Sequence, residues 1–293
     1  MIGRAVSHGA VSIVAAFATG TGGAVGINLK TEAIVRLSND PGTIMTQIQN
    51  APNENGDLIR ICVLKVLEAC HKSDTHGASI CTKSEIPIAR GLKSSSSAAN
   101  AAVLATYAAL LENPLIDDLV AVKIGVDAAL EAGVSITGAF DDACACYFGG
   151  AVITNNYERK ILKTPHINPR LKVVLRIPSS TISTRDSGAE GLRELKIFFE
   201  MTIREALKGS IFNAMMMNGL LCASYYGMDA SFLTDMVRTG ALTAGVSGTG
   251  PTMFAITKEE RAAQVGNQAK GYGDEVKVVD LNFEKARAWR SPK

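Results

Sequence analysis

At 293 residues, with 47% hydrophobic and 20% charged side chains, the chain can build one large domain or two of ordinary size, and it is too apolar to be disordered. Its 30 basic residues against 28 acidic leave a net charge of +2 with no basic run, so it carries no electrostatic footprint for nucleic acid. The six cysteines, Cys62, Cys70, Cys81, Cys144, Cys146 and Cys222, show neither a C-x-x-C pair nor a zinc-like pattern with histidine, and read as reduced thiols of a cytoplasmic protein.

Residues 5–29 carry no formal charge between Arg4 and Lys30. Two readings are open for this run. One is an export signal with Ala16-Phe17-Ala18 as its cleavage site. The other is a pair of strands, Ala10–Ala18 and Ala24–Leu29, around the glycine-rich turn Thr19–Gly23. Cleavage would remove the first strand of a sheet, which favours the second reading. The glycines also dilute the run too far for a membrane span. Thr31–Leu37 continues as a half-alternating strand, and Asn39–Gly56 is a loop with at most one short strand. Leu58–Cys70 has helical periodicity, and Ala78–Ile88 reads as a strand.

Next comes Pro87-Ile88-Ala89-Arg90-Gly91-Leu92-Lys93-Ser94-Ser95-Ser96-Ser97, followed by the alanine-rich helix Ala98–Leu111. Gly91 permits a tight turn and a close backbone approach. Serines at a helix start can cap it or, together with its free amides and dipole, hold an anion. Composition leaves a phosphate cradle and an ordinary Ser-capped helix both open. The helix beyond it is small and apolar on nearly every face and should be buried. Asp117 caps a further helix to Ala132, with Gly133 ending it.

In Gly138-Ala139-Phe140-Asp141-Asp142-Ala143-Cys144-Ala145-Cys146-Tyr147-Phe148-Gly149-Gly150, two adjacent carboxylates precede apolar residues. Such charges are commonly paired, metal-bound or catalytic, and a helix-capping pair is the plainer alternative. On a strand, Cys144 and Cys146 would face the same side. Ala151–Thr154 is a strand, Asn155–Arg170 a polar link and Leu171–Ile177 a strand. Helical patterns follow at 189–208, 211–226 and 229–240. Gly245-Val246-Ser247-Gly248-Thr249-Gly250 then turns between the β-like runs Ala241–Val246 and Met253–Thr257. Lys258–Lys270 is helical, Glu275–Leu281 a strand, and the basic tail is exposed.

Pro87-x-x-x-Gly91-Leu92-x-Ser94-Ser95 closely resembles the Pro-x-x-x-Gly-Leu-Gly-Ser-Ser motif of the GHMP kinases, with Lys93 in place of the second glycine. The Ser7-His8-Gly9 segment loosely resembles their first motif, and Gly245–Thr252 their third. The resemblance implies an α+β GHMP kinase fold: a ribosomal S5 domain 2-like domain over 1–160 and a ferredoxin-like domain over 161–293, with ATP in the cleft between them. It implies that Pro87, Ile88, Ala89, Arg90, Gly91, Leu92, Lys93, Ser94, Ser95, Ser96 and Ser97 wrap the ATP phosphates, with Ser95 on Mg²⁺. It also implies that Asp141 or Asp142 faces the acceptor hydroxyl. Counting from the two ends of that segment gives different answers, so both stand.

Gly91-Leu92-Lys93-Ser94-Ser95-Ser96, Arg4–Ala10 and Gly138–Ala143 together are most similar to the archaeal-type shikimate kinase branch. That likeness implies shikimate as acceptor, in aromatic amino-acid biosynthesis. Arg185 is the candidate for the acceptor's carboxylate and Arg90 its rival. Homoserine kinase or another small-alcohol kinase is the alternative. A non-catalytic S5-like nucleic-acid module is a third reading, against which the charge balance speaks. Neither nucleic acid nor membrane is an expected partner, and the oligomeric state is open.

Overall fold

The charge-free N-terminal run forms the middle of a sheet. The computed structural model describes residues 1–112, 116–182 and 187–291. In it, β1 (Ile2–Val14) and β2 (Thr21–Ser38) pair antiparallel across a short 3₁₀ turn at Ala16–Ala18. Helices α1 (Asp57–Ala69), α2 (Ser94–Leu110), α3 (Asp118–Glu131) and α4 (Phe140–Phe148) form one core with Ala5, Ala10, Ala24 and Ala33 of these strands. Val11, Ile13, Val25 and Ile27 belong to a second core, shared with the C-terminal half. Strands covered on both faces need apolar residues at every position, which is why this run shows no alternation and no charge.

β3 (Ile44–Ile48), β4 (Gly77–Ser84), β5 (Ala151–Asn155), β6 (Lys160–Lys163) and the last strand of the chain, β11 (Arg287–Ser291), complete a seven-stranded sheet. Among the described strands only β3 and β4 pair parallel. The second sheet holds β7 (Lys172–Ile177), β8 (Thr243–Val246), β9 (Met253–Thr257) and β10 (Glu275–Asp280) in the order β10-β7-β9-β8. All its pairings are antiparallel. Helices α5 (Lys196–Lys208), α6 (Ile211–Tyr225) and α7 (Ser231–Arg238) lie between its first two strands in sequence, and α8 (Ala262–Lys270) between its last two. Fourth, first, third, second is the ferredoxin-like strand order.

Several expectations change. The strand expected over 78–88 stops at Ser84, because the chain then turns toward α2. Cys144 and Cys146 lie on α4 rather than on a strand, so two-residue spacing does not give them a common face; both are buried. The basic tail, with Arg287 and Trp289 exposed as expected, is also a strand: β11 pairs with Ile2–Val6 of β1. The first sheet therefore takes in 161–163 and 287–291, which fall within the range 161–293 read as the second domain. Asp117 does cap α3, its carboxylate accepting from the Leu119 and Val120 amides at 2.8 and 3.1 Å. No helix among the described residues is long and apolar enough to cross a membrane.

Candidate active site

Between β4 and α2 the backbone enters the left-handed region at every second residue: Ala89 (φ 54°), Gly91 (φ 80°) and Lys93 (φ 67°). The serines do not cap the helix. Lys93 is its N-cap, its carbonyl accepts the Ser97 amide at 3.0 Å, and no side chain caps the start. Ser94, Ser95 and Ser96 form the first turn and line a cavity of about 530 Å³. Uncapped amides, three hydroxyls and the positive end of a 17-residue helix therefore converge on one cavity wall, an arrangement suited to a phosphate chain.

The glycine-rich loop after β8 closes over this turn. The Ser247 hydroxyl donates to the Gly91 carbonyl at 2.7 Å, and a Cβ on Gly91 would lie 2.1 Å from the Ser247 carbonyl oxygen. The close approach at Gly91 is thus to the protein's own second loop. The Lys93 ammonium is 3.0 Å from the Asp142 carboxylate and donates to the Ser12 hydroxyl at 2.8 Å. Ser12 also accepts the Gly248 amide at 2.9 Å. One hydroxyl on β1 thereby ties together the turn before α2 and the loop from the second sheet. Lys93 and Asp142 expose only 7% and 17% of their side chains, so their attraction is weakly screened.

The two aspartates separate cleanly. Asp142 lines the cavity; Asp141 does not. Asp141 is buried behind the first turn of α4, where Asn156 donates to its Oδ1 at 2.8 Å. Burial first, then the nearby Asp142 charge, pushes the Asp141 carboxyl up to about 7, with Lys93 and Asn156 opposing. Of the expected phosphate-loop residues, Ile88, Ala89, Gly91, Lys93, Ser94, Ser95 and Ser96 line the cavity. Leu92 and Ser97 are wholly buried, and Pro87 and Arg90 are not in its wall. Arg90 instead donates from its guanidinium to the Pro178 carbonyl. Arg185 lies outside the described residues.

Two residues of this constellation, Ser12 and Asn156, drew no attention in the sequence. Ser12 is one of two serines in a largely apolar strand and had no signal beyond that. Asn156 sat in what read as a polar link. Among the described residues no group of three acidic, histidine or cysteine side chains could hold a metal on its own.

Known proteins resemble this chain in sequence and in fold. The family descriptions "GHMP kinases N terminal domain" and "GHMP kinases C terminal" match residues 57–150 and 230–275. A protein named shikimate kinase from Pyrococcus abyssi is 43% identical over 258 residues, covering 88% of this chain and 91% of its own. One of the same name from Methanosarcina acetivorans is 38% identical over 281 residues, covering 96% and 94%. Among solved structures, homoserine kinase from Cytophaga hutchinsonii superposes with a TM-score of 0.77 at 19% identity, covering 98% of this chain and 97% of that one. The last likeness establishes the fold.

Proposed function

The chain belongs to the GHMP kinase family, and we propose that it transfers the γ-phosphoryl group of ATP to a ring hydroxyl of shikimate. The observation that carries the reading is the Lys93–Asp142 ion pair set in the same cavity wall as Ser94–Ser96. Phosphoryl transfer asks a protein mainly for positioning and charge stabilisation. The first amides and hydroxyls of α2 hold the phosphates. The Lys93 ammonium faces the transferred group and holds the Asp142 carboxylate in place through the ion pair. Asp142 orients the acceptor hydroxyl and takes its proton as the oxygen bonds to the γ-phosphorus and the bond to ADP breaks. Lys93, from the turn itself, thus does work that a glycine at this position cannot.

The hydroxyls of the first turn are hard oxygen donors beside the expected phosphates, which suits Mg²⁺, an ion that keeps few protein ligands and several phosphate or water oxygens. We assign Ser95 to it; bound there with ATP, the ion would neutralise phosphate charge. Arg185 is the proposed partner for the shikimate carboxylate, with Arg90 its rival.

Shikimate as acceptor is supported by the names of the relatives that cover nearly the whole chain. ADP release measured with shikimate, homoserine and mevalonate at equal concentration tests it. Shikimate should lead clearly. A preference for homoserine would overturn the acceptor and leave the kinase reading standing.

A further inference from the structure

We propose that Asp141 is a positioning residue: with Asn156 it forms a carboxyl–carboxamide clamp that fixes the first turn of α4 and so aims Asp142 at Lys93 and the acceptor. The proposal rests on Asp142 being the base. Helix α4 is only nine residues long and starts from Ala139, a left-handed N-cap (φ 48°, ψ 47°) that contributes no side-chain cap. Its first turn is held from outside instead. The Asp141 amide donates to Asn156 Oδ1 at 3.1 Å while Asn156 Nδ2 donates to Asp141 Oδ1 at 2.8 Å, closing a ring between two residues.

Asn156 is fixed in turn. Its Oδ1 accepts the Thr154 hydroxyl at 2.7 Å, its Nδ2 reaches the Thr137 hydroxyl at 3.3 Å, and its amide donates to the Gly20 carbonyl at 2.8 Å. The other Asp141 oxygen lies so close over β2 that a Cβ on Gly22 would be 2.3 Å from it. Asp141 and Asn156 are 5% and 2% exposed. Successive helical residues point about 100° apart, so pinning Asp141 inward turns Asp142 toward the cavity.

The charged groups facing Asp141 are Asp142 from its own helix and Lys93 from the turn before α2. The neighbouring thiols of Cys144 and Cys146 are pushed up by burial and stay neutral, and β2 and the residues after β5 offer none. A neutral Asp141 leaves the single ammonium to Asp142. An ionised one sets a second negative charge in competition for it, and burial holds the carboxyl near neutrality.

The test compares Asp141→Asn, Asn156→Asp, their double variant and Asp142→Asn by kcat, both KM values and the pH profile. Asp142→Asn should lose about 10²–10⁴-fold in kcat, as for a missing base, and Asp141→Asn no more than about tenfold. Wild-type kcat should fall as pH rises through about 7, and Asp141→Asn should lack that decline. Asn156→Asp, with two carboxyls face to face, should lose about 10–100-fold in kcat, and adding Asp141→Asn should restore most of it by returning one carboxyl and one carboxamide. KM for ATP should stay within about threefold throughout. The clamp is overturned if Asp141→Asn is as damaging as Asp142→Asn, if the double variant is not rescued, or if the alkaline decline persists in Asp141→Asn. Near-full turnover in Asp142→Asn instead overturns the base itself, a different pattern.

Discussion

Lys93 holds a left-handed backbone that costs a residue with a side chain about 1–2 kcal/mol, where a glycine would pass unstrained. Its ammonium returns that cost through Asp142 and Ser12. Replacing it by Ala or Gly removes the ion pair equally, but only Gly relieves the backbone. Lys93→Gly should therefore be more stable than Lys93→Ala by about 1 kcal/mol in urea unfolding, while both lose about 10²–10³-fold in kcat. Equal stabilities would mean the turn carries no strain. Asp141 gives a second measurable sign. Its carboxyl holds a proton more tightly when folded, at about 7 against the ordinary aspartate value of 3.8. It therefore contributes stability that is complete below about pH 4 and lost as pH rises through about 7, at no more than about 1.4 kcal/mol per pH unit. Asp141→Asn has no such proton, so its stability should gain on the wild type between pH 5 and pH 8. A constant difference across that range would show that Asp141 is ionised throughout.

The turn before α2 and the loop after β8 work as one element, which separates two substitutions that look alike in sequence. Gly91→Val meets the Ser247 carbonyl and a φ of 80°, so it should destabilise the fold by about 2 kcal/mol or more and weaken nucleotide binding as a consequence. Ser95→Ala touches only the cavity wall. It should leave stability within about 0.5 kcal/mol and still weaken MgATP binding. Calorimetric binding and thermal melts of both variants check this; a stable Gly91→Val with weak nucleotide binding would place the crowding at the ligand. The turn was legible in the sequence because Gly91 and the serines are local signals. The aspartate pair was legible as chemistry but not as two roles, since the difference lies in Asn156 and Gly22, which reach α4 only through tertiary packing. Whether Cys144 and Cys146 sit on a strand or a helix stayed open in the sequence for a similar reason. A short apolar run carries no period of its own, and the left-handed Ala139 that starts the helix has no sequence mark.

At the scale of the whole molecule, the order of elements could be read from periodicity and turn residues, but the partnership of the two halves could not. Nothing in Arg287–Ser291 announces that it returns to β1, a pairing across nearly the full chain. Nor does any local pattern show that one core runs between the sheets. Val11, Ile13, Val25 and Ile27 of the first share a cluster with Leu175 and Ile256 of the second and with Phe199 and Met215 of α5 and α6. A domain that opened alone would expose its half of that cluster to water, at about 25 cal/mol per Å² of apolar surface, and would also strip β11 from β1 or drag it along. The chain should therefore unfold in one cooperative transition in scanning calorimetry, despite having two sheets. A non-hydrolysable ATP analogue, held by a wall to which both the start of α2 and the Gly248 loop contribute, should raise that single transition without splitting it. The shift should correspond to about 2.7 kcal/mol at a hundred times Kd. Two resolved transitions, only one of them moved by nucleotide, would show that the halves are independent and that the site belongs to one of them alone.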